Sequence, residues 1–157
     1  MSKAIILVTG MSGTGKSTVL AELARRGHRV IDTDYGGWSE NADGSGWLWR
    51  ENRIDELFTE HTEGALFLSG CVANQGKFYP KFDAIVLLSA PLEVILERVA
   101  TRTTNDYGKT AEQRDEIVRN VASVEPLLRA GATHEIDTRN PLDIVVAELE
   151  LIANPCG

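Results

Sequence analysis

The sequence predicts an α/β fold, a three-layer sandwich in which helices cover both faces of a parallel sheet. Strand-like and helix-like segments alternate along its 157 residues, which is typical of α/β domains. The strand candidates Ala4–Thr9 and Ala84–Ser89 are continuously apolar, as expected of strands buried on both faces of a parallel sheet. The length suits one domain, residues 1–157.

The remaining elements follow from the spacing of apolar residues and from glycine and proline positions. Gly27 is a candidate helix C-terminal cap, Pro91 favours the start of a helix, and Pro126 should kink or divide one. The other strand candidates are Arg29–Asp32, Ala65–Ser69 and His134–Asp137. The helix candidates are Lys16–Arg26, Glu51–His61, Leu92–Thr101, Ala111–Ala130 and a last helix that Pro141 opens and that runs through Leu151.

Composition excludes several classes of protein. The net charge of −7 disfavours nucleic acid as a partner, and the apolar runs are too short to span a membrane or to form a secretion signal. Cys71 and Cys156 form no metal-binding cluster. Cys71 could touch a substrate or fill space in the interior, and interior packing is the usual role of a free cysteine. We therefore expect a cytoplasmic protein with reduced cysteines, either a monomer or a homodimer.

The most specific motif is a glycine-rich segment between the first strand and the first helix. It satisfies the pattern G-x-x-x-x-G-K-[ST] in the required strand–helix context. Its glycines let main-chain N–H groups approach phosphate oxygens, and the helix N-terminus favours negative charge. Lys16 is expected to reach the β- and γ-phosphates, and Ser17 to ligate Mg²⁺. The expected nucleotide-binding residues here are Gly10, Met11, Ser12, Gly13, Thr14, Gly15, Lys16, Ser17 and Thr18.

Two carboxylates, Asp32 and Asp34, come at the end of the second strand candidate. The carboxyl ends of parallel strands face the ligand crevice. One carboxylate there can hold the Mg²⁺ shell, and the other can accept a proton from an attacking hydroxyl. An acidic turn of this kind is common in proteins. The pair indicates a catalytic role only because the phosphate motif lies nearby.

A pair of arginines, Arg98 and Arg102, lies four residues apart on one helix face. Their guanidinium groups could stack on adenine and clamp a transferring phosphoryl group. The polar segment 103–113 that follows is typical of a mobile lid, which would exclude water from the reaction. A solvated helix face and a surface loop are the alternative interpretation.

In this order, the phosphate motif, Asp32-Thr33-Asp34, the arginine pair with its short lid, and Asp137-Thr138-Arg139-Asn140-Pro141 resemble the shikimate kinase and adenylate kinase-like superfamily of P-loop kinases. The resemblance spans essentially the whole chain. It implies a five-stranded parallel sheet, ATP and Mg²⁺ as cofactors, a short lid, and a substrate-binding segment at about 33–63.

The resemblance also implies roles for individual side chains. It places Asp34 against the acceptor hydroxyl, Arg98 beside adenine and Arg102 beside the phosphates. It places Arg139 and Pro141 in the loop that flanks the adenine ring. The implied catalytic residues are Lys16, Asp34 and Arg102, and the implied metal ligands are Ser17 and Asp32.

The match to shikimate kinases fails at two positions. Those enzymes carry three glycines after the third strand, where this chain has Ser69-Gly70-Cys71, and an arginine before the Glu-Pro-Leu element, where it has Val124. One group that would hold shikimate is therefore absent. The candidate substrate contacts are Asp34, Arg50, Arg53 and Gly70.

The segment 33–63 is rich in acids and tryptophans. Its acids outnumber Arg50 and Arg53, which favours a polyhydroxylated, neutral or cationic acceptor over an anionic one, unless most of them face water. Trp38, Trp47 and Trp49 could stack on a ring-shaped acceptor or pack the segment onto the sheet.

Three functional hypotheses remain. The leading one is transfer of the γ-phosphoryl group of ATP to a hydroxyl of a small molecule other than shikimate. A nucleoside monophosphate kinase is the alternative, and it would need Arg50, Arg53 and Arg129 for the acceptor phosphate. A nucleotide-binding regulatory protein is the third, although it has less need of an aspartate pair and lid arginines.

Overall fold

The computed structural model describes residues 3–41, 46–103 and 106–154. The strands are β1 (Ala4–Thr9), β2 (Arg29–Asp32), β3 (Ser39–Glu40), β4 (Leu48–Trp49), β5 (Ala65–Ser69), β6 (Ala84–Ser89) and β7 (His134–Asp137). The helices are α1 (Lys16–Arg25), α2 (Glu51–Glu60), α3 (Leu92–Thr101), α4 (Ala111–Ser123), α5 (Glu125–Gly131) and α6 (Leu142–Ala153), with a 3-10 helix at Gln75–Lys81.

The main sheet has five strands in the order β2-β5-β1-β6-β7, and all its pairings are parallel. Every residue of β1 is buried because β5 and β6 flank it on either side and helices cover both faces. The predicted three-layer sandwich with a five-stranded parallel sheet is confirmed. All five predicted strands have the observed bounds.

Alternate side chains of β1 enter two separate cores, as the period of a strand requires. Ile6 and Val8 pack in the core beneath α1 and α6. Ile5 and Leu7 pack on the opposite face with Trp49 and residues of α2. Because the strands are parallel, the carboxyl ends of β1, β2, β5 and β6 lie at one edge of the sheet, where their following loops meet.

The helices follow the predictions with small differences. The predicted division near Pro126 is observed as a break between α4 and α5, with Pro126 in the first turn of α5. Gly27 follows α1 with a φ of +93°, as a C-terminal glycine does. The helices α1 and α2 end one residue early, and α6 extends to Ala153. None of the described helices is long and apolar enough to cross a bilayer.

Two elements were not predicted. The hairpin of β3 and β4 lies between the strand candidate Arg29–Asp32 and the helix candidate Glu51–His61. Its strands of two residues are too short to show a hydrophobic period. The 3-10 helix between β5 and β6 contains Pro80, which is incompatible with a regular helical pattern.

Candidate active site

The segment Gly10–Ser17, called the phosphate loop below, runs from β1 into the first turn of α1. Its glycines fit where no side chain could: a Cβ on Gly10 would lie 2.5 Å from the carbonyl oxygen of Leu88, and one on Gly13 would lie 2.8 Å from Val99 Cγ2. Both residues also have positive φ angles, 154° and 86°. The loop is therefore closely packed against β6 and α3, and its conformation depends on glycine.

Hydrogen bonds within the phosphate loop fix its shape. The hydroxyl of Thr14 donates to the carbonyl of Met11 over 2.7 Å. Lys16 Nζ donates to the carbonyls of Gly10 and Met11 over 2.6 and 3.1 Å. Burial lowers the pKa of Lys16, and electrostatic interactions with Cys71, Asp34 and Asp32 oppose this shift. The lysine thus lies at the centre of the loop, with Thr18 exposed on α1 beyond it.

The two predicted carboxylates lie beside the phosphate loop, in the crevice at the carboxyl edge of the sheet. Asp32 Oδ2 accepts a 3.0 Å hydrogen bond from the hydroxyl of Ser17, and Asp32 Oδ1 accepts one of 3.1 Å from the main-chain N–H of Asp34. Partial desolvation and the charge of Asp32 raise the pKa of Asp34, while Lys16 acts in the opposite direction. The structure therefore groups Lys16, Ser17, Asp32 and Asp34.

Arg98 in α3 and Arg102, the residue that follows α3, both reach the phosphate loop, but they are held differently. Arg98 donates to Thr138 Oγ1 and to the Thr138 carbonyl, each over 2.8 Å, and more weakly to the carbonyl of Gly13. Arg102 Nη2 donates to the carbonyl of Tyr107 over 2.8 Å and to Ser12 Oγ over 3.4 Å. The Nε of Arg102 is buried and has no hydrogen-bond partner within the described part of the chain. Desolvation lowers the pKa of Arg102.

The described part of segment 103–113 folds back onto α3, while Thr104 and Asn105 lie outside the described residues. Gly108 has a φ of +94° and is so close to Val99 that a Cβ there would overlap its side chain. Thr110 caps α4 in a reciprocal capping box with Gln113. This segment therefore meets the phosphate loop through Tyr107, whose carbonyl receives Arg102.

The loop between β7 and α6 lies at the same edge of the sheet. Thr138 joins it to Arg98, as described above, and Pro141 occupies the N-cap position of α6. Arg139 is exposed and forms a 2.7 Å ion pair with Asp137. The structure thus brings the predicted adenine loop next to Arg98.

The segment 33–63, called the acceptor segment below, separates its two arginines. Arg50 pairs with Glu40 over 3.3 Å. Arg53 donates a 2.7 Å hydrogen bond to the carbonyl of Gly36, and its guanidinium lies 4.1 Å from the ring centroid of Trp38. A cleft of about 470 Å³ lies beside them, between the hairpin and the first turns of α2.

The three tryptophans have different environments. Trp47 is 62% exposed, and Trp49 is buried in the core beneath the sheet. Trp38 is half-buried under Arg53. Packing therefore accounts for Trp49, and only the other two are available to a ligand.

The acids of the acceptor segment lie in different surroundings, and Glu40, Glu51 and Glu56 line the cleft described above. Three acids of the segment form ion pairs with basic residues that lie outside it, namely Glu51 with Lys77, Asp55 with Lys81, and Glu60 with Arg29. Ion pairs with residues outside the segment therefore neutralise part of its acidity. The preference for a neutral or cationic acceptor stays a prediction.

Gly70 and Cys71 follow β5 next to the phosphate loop. Gly70 is buried, its N–H faces the carbonyl of Val8, and its carbonyl accepts a 2.7 Å hydrogen bond from Thr9. The interior packing expected of Cys71 is wrong, because this residue is exposed. It lies close enough to Lys16 and Asp34 to interact with both electrostatically.

Two features of the site were missed from the sequence. Tyr35 is 62% exposed beside Asp34 and interacts electrostatically with Arg102; its position directly after the aspartate pair was the available signal. The buried hydrogen bond between Trp49 and Thr33 joins residues sixteen positions apart, and no local pattern marks it.

Ser17 and Asp32 offer a hydroxyl and a carboxylate oxygen for a cation. Among the described residues there is no group of three or more His, Cys, Asp or Glu side chains that could hold a metal ion. Mg²⁺ is commonly held by one or two protein oxygens together with water and nucleotide phosphates. The donors present therefore suit Mg²⁺ that arrives with a nucleotide.

Comparison with known proteins gives a family match and a relative. The model of the AAA_18 family, described as an AAA domain, matches residues 6–119. The chain is 28% identical over 150 residues to an Archaeoglobus fulgidus protein named "Putative adenylate kinase", and the match covers 94% of this chain and 81% of the relative.

Solved structures share the fold. A shikimate kinase from Acinetobacter baumannii, solved with shikimate, superposes with a TM-score of 0.69 at 21% identity, over 98% of this chain and 94% of that one. A shikimate kinase from Bacteroides thetaiotaomicron gives 0.64 at 20% identity, over 94% and 96%. A sugar kinase from a Janibacter species gives 0.56 at 18%, over 96% and 94%. The fold is that of P-loop kinases, and the resemblance to the shikimate kinase and adenylate kinase-like superfamily is confirmed.

Proposed function

This chain belongs to the AAA_18 family of AAA domains, and from that premise we propose that it is a kinase that transfers the γ-phosphoryl group of ATP to a hydroxyl of a small molecule. The observation that carries the proposal is the position of Asp34. It lies close enough to Lys16 and Asp32 to interact with both. A protein that only senses a nucleotide has no need of a second carboxylate there.

The residues present fit a nucleotide with its Mg²⁺. The positive φ angles of Gly13 and Gly15 suit a loop whose main-chain N–H groups turn towards an anion. The buried Nε of Arg102 lacks a partner among the described residues, and a phosphate oxygen would satisfy it. Ser17 and Asp32 would hold Mg²⁺, which would neutralise part of the phosphate charge when bound.

The side chains can divide the transfer between them. Asp34 would orient the acceptor hydroxyl and take its proton as the new oxygen–phosphorus bond forms. The bond between the γ-phosphorus and the bridging oxygen breaks in the same process and releases ADP. Lys16 and Arg102 would stabilise the negative charge that moves onto the bridging oxygen and the transferring group.

The arginines limit the choice of acceptor. Arg50 is paired with Glu40, and Arg129 is held between Glu125 and Glu135. Arg53 has no carboxylate partner among the described residues of the acceptor segment. It donates to the carbonyl of Gly36, which comes two residues after Asp34. The crevice can therefore hold a small hydroxylated acceptor that carries at most one anionic group near Arg53.

A nucleoside monophosphate kinase is the second candidate, because the archaeal relative carries that type of name. A phosphate acceptor usually gathers several arginines. Two of the three arginines that could serve it, Arg50 and Arg129, are engaged in ion pairs. This favours the small-molecule acceptor over a nucleotide.

The test is an ADP-formation screen with Mg·ATP against shikimate, gluconate, nucleosides, nucleoside monophosphates and aminoglycoside-like polyols. With the best acceptor, Asp34→Asn should lower kcat by about 10²-fold or more while Mg·ATP still binds. The matched control, Asp55→Asn, removes only an exposed ion pair with Lys81 and should turn over normally.

The outcomes separate the three hypotheses. Turnover with AMP alone would favour the nucleotide kinase. Binding of Mg·ATP without turnover on any acceptor would favour the regulatory protein. Unchanged turnover in Asp34→Asn would remove Asp34 from the mechanism.

A further inference from the structure

We infer that Trp49 is a positioning residue, which holds the Asp32-Thr33-Asp34 turn in its active geometry through a hydrogen bond to Thr33. The inference rests on the proposed function, because it concerns how the two carboxylates are aimed.

The contact is short and dry. Trp49 Nε1 donates to Thr33 Oγ1 over 2.9 Å, and Thr33 Oγ1 donates to the carbonyl of Ser69 over 2.7 Å. Trp49 and Thr33 are each only 1% exposed. Water cannot replace either bond at this depth, so removing one partner leaves a buried polar group unsatisfied.

Anchoring Thr33 on one face of the sheet directs the preceding residue, Asp32, to the other face. Ile31 packs in the core that contains Trp49, and Val30 packs in the opposite core beneath α1. Thr33 continues the Ile31 side, and its N–H prolongs the pairing with β5 by donating to the Ser69 carbonyl over 3.1 Å. Successive side chains of an extended chain alternate, so Asp32 is directed towards α1, where Ser17 meets it.

The glycine after β5 shows that this contact requires close approach. A Cβ on Gly70 would lie 2.5 Å from Thr33 Oγ1 and 3.0 Å from the Trp49 ring. Any larger residue at position 70 would push the indole and the hydroxyl apart. The hydrogen bond between Trp49 and Thr33 therefore requires glycine at position 70, independently of any contact that Gly70 makes with an acceptor.

Trp49 is itself fixed by its main chain and belongs to the acceptor segment. Its N–H donates to Asn74 Oδ1 over 2.9 Å, and its carbonyl accepts from Asn74 Nδ2 over 3.0 Å. Trp49 pairs with Ser39 across the hairpin, and the Ser39 hydroxyl donates to the Thr33 carbonyl over 3.0 Å. The hairpin thus binds both the side chain and the main chain of Thr33. A shift of the hairpin would therefore move both carboxylates.

The experiment removes the hydrogen bond with little change of shape. Thr33→Val deletes the hydroxyl, Trp49→Phe deletes the indole N–H but keeps a ring in the core, and the double variant deletes both. Thr33→Ser keeps the hydroxyl and is the rescue. Thr59→Val is the matched control, because Thr59 bonds only to Asp55 on the exposed face of α2. ADP affinity is measured by calorimetry over a series of free Mg²⁺ concentrations, with thermal melting and the rate of Mg·ATP hydrolysis alongside.

Thr33→Val and Trp49→Phe should each raise the Mg²⁺ midpoint and lower kcat about tenfold, with little change in the KM for ATP. The double variant should be no worse than the more affected single variant, because both lose the same bond. Thr33→Ser and Thr59→Val should match wild type. The inference would be overturned if Thr33→Val and Thr33→Ser had the same Mg²⁺ midpoint. It would also be overturned if the effects of Thr33→Val and Trp49→Phe added up in the double variant. A wild-type protein that binds no Mg·ADP would instead contradict the proposed function itself.

Discussion

The hydroxyl of Ser17 donates a 3.0 Å hydrogen bond to Asp32, which joins the first turn of α1 to the end of β2. The same serine follows Lys16, and the same aspartate precedes the Thr33-Asp34 turn. One short contact therefore connects the phosphate loop to the candidate catalytic carboxylates. It also places two oxygen atoms where Mg²⁺ would share them with a nucleotide.

Removing either oxygen should weaken the response to Mg²⁺. Asp32→Asn and Ser17→Ala should each raise the free Mg²⁺ concentration needed for tight ADP binding by about tenfold. Calorimetric titration with ADP over a Mg²⁺ series measures this midpoint. Ser123→Ala, which removes an exposed hydroxyl bonded to the Arg119 carbonyl on α4, is the control. Unchanged midpoints in both site variants would exclude this pair as the metal site.

Arg98 and Arg102 should separate into a structural and a catalytic role. Arg102→Lys should lower kcat by about 10²-fold with little change in melting temperature, because it removes the planar group whose Nε lacks a partner among the described residues. Arg98→Lys should instead lower the melting temperature and raise the KM for ATP, because it breaks two bonds to Thr138. Steady-state kinetics and thermal melting check both. Equal effects of the two changes would contradict the assignment.

The glycine of the lid segment should be intolerant of a side chain. In Gly108→Ala the new methyl group overlaps Val99 and the backbone has a φ of +94°, so the free energy of unfolding should fall by about 2–3 kcal/mol. Gly64→Ala is the control: its φ of +75° is also unfavourable, but no atom lies within 4 Å, and the loss should be about 1 kcal/mol. Urea unfolding measures both. Equal losses would show that the overlap with Val99 is relieved without cost.

One ion-pair cluster should make stability depend on pH. Hydrogen bonds from Arg25 and Arg26 lower the pKa of Glu22 from 4.5 to about 2. Because the folded pKa is depressed, the stabilisation is fully present above the unfolded value of 4.5 and is lost as the pH falls towards 2. The difference in melting temperature between wild type and Glu22→Gln should therefore be constant from neutral pH to about 4.5 and shrink below it. A difference that persists unchanged at low pH would contradict this.

The sequence predicted the centre of the sheet well because the strands β1, β5 and β6 are buried on both faces. Such strands are continuous apolar runs, and those of β1 and β6 end where glycine or the Ala90-Pro91 turn interrupts them. The hairpin could not be predicted in the same way. Its two-residue strands show no hydrophobic period. The hairpin is instead fixed by hydrogen bonds of its main chain, from Arg50 N–H to the Trp38 carbonyl and from Trp49 N–H to the side chain of Asn74.

The candidate site was predictable where spacing along the chain reflects one local structure. The phosphate loop, the aspartate pair and the arginine pair each lie within a single turn or helix face, so the structure brings them together as expected. Contacts between distant segments had no such signal, as the Trp49–Thr33 bond and the stacking of Arg53 on Trp38 show. The ion pairs of the acceptor segment also lacked a local signal, because Lys77 and Lys81, which neutralise two of its acids, come after β5.

The central claim is that the phosphate loop binds the triphosphate of ATP, and calorimetric titration of the purified protein with Mg·ATP tests it most directly. Wild type should show saturable binding and a raised melting temperature. Lys16→Ala, which removes the ammonium group at the centre of the loop, should bind at least about tenfold more weakly. If wild type gave no heat and no thermal shift with Mg·ATP or any other nucleotide, the assignment of this protein as a kinase would be wrong.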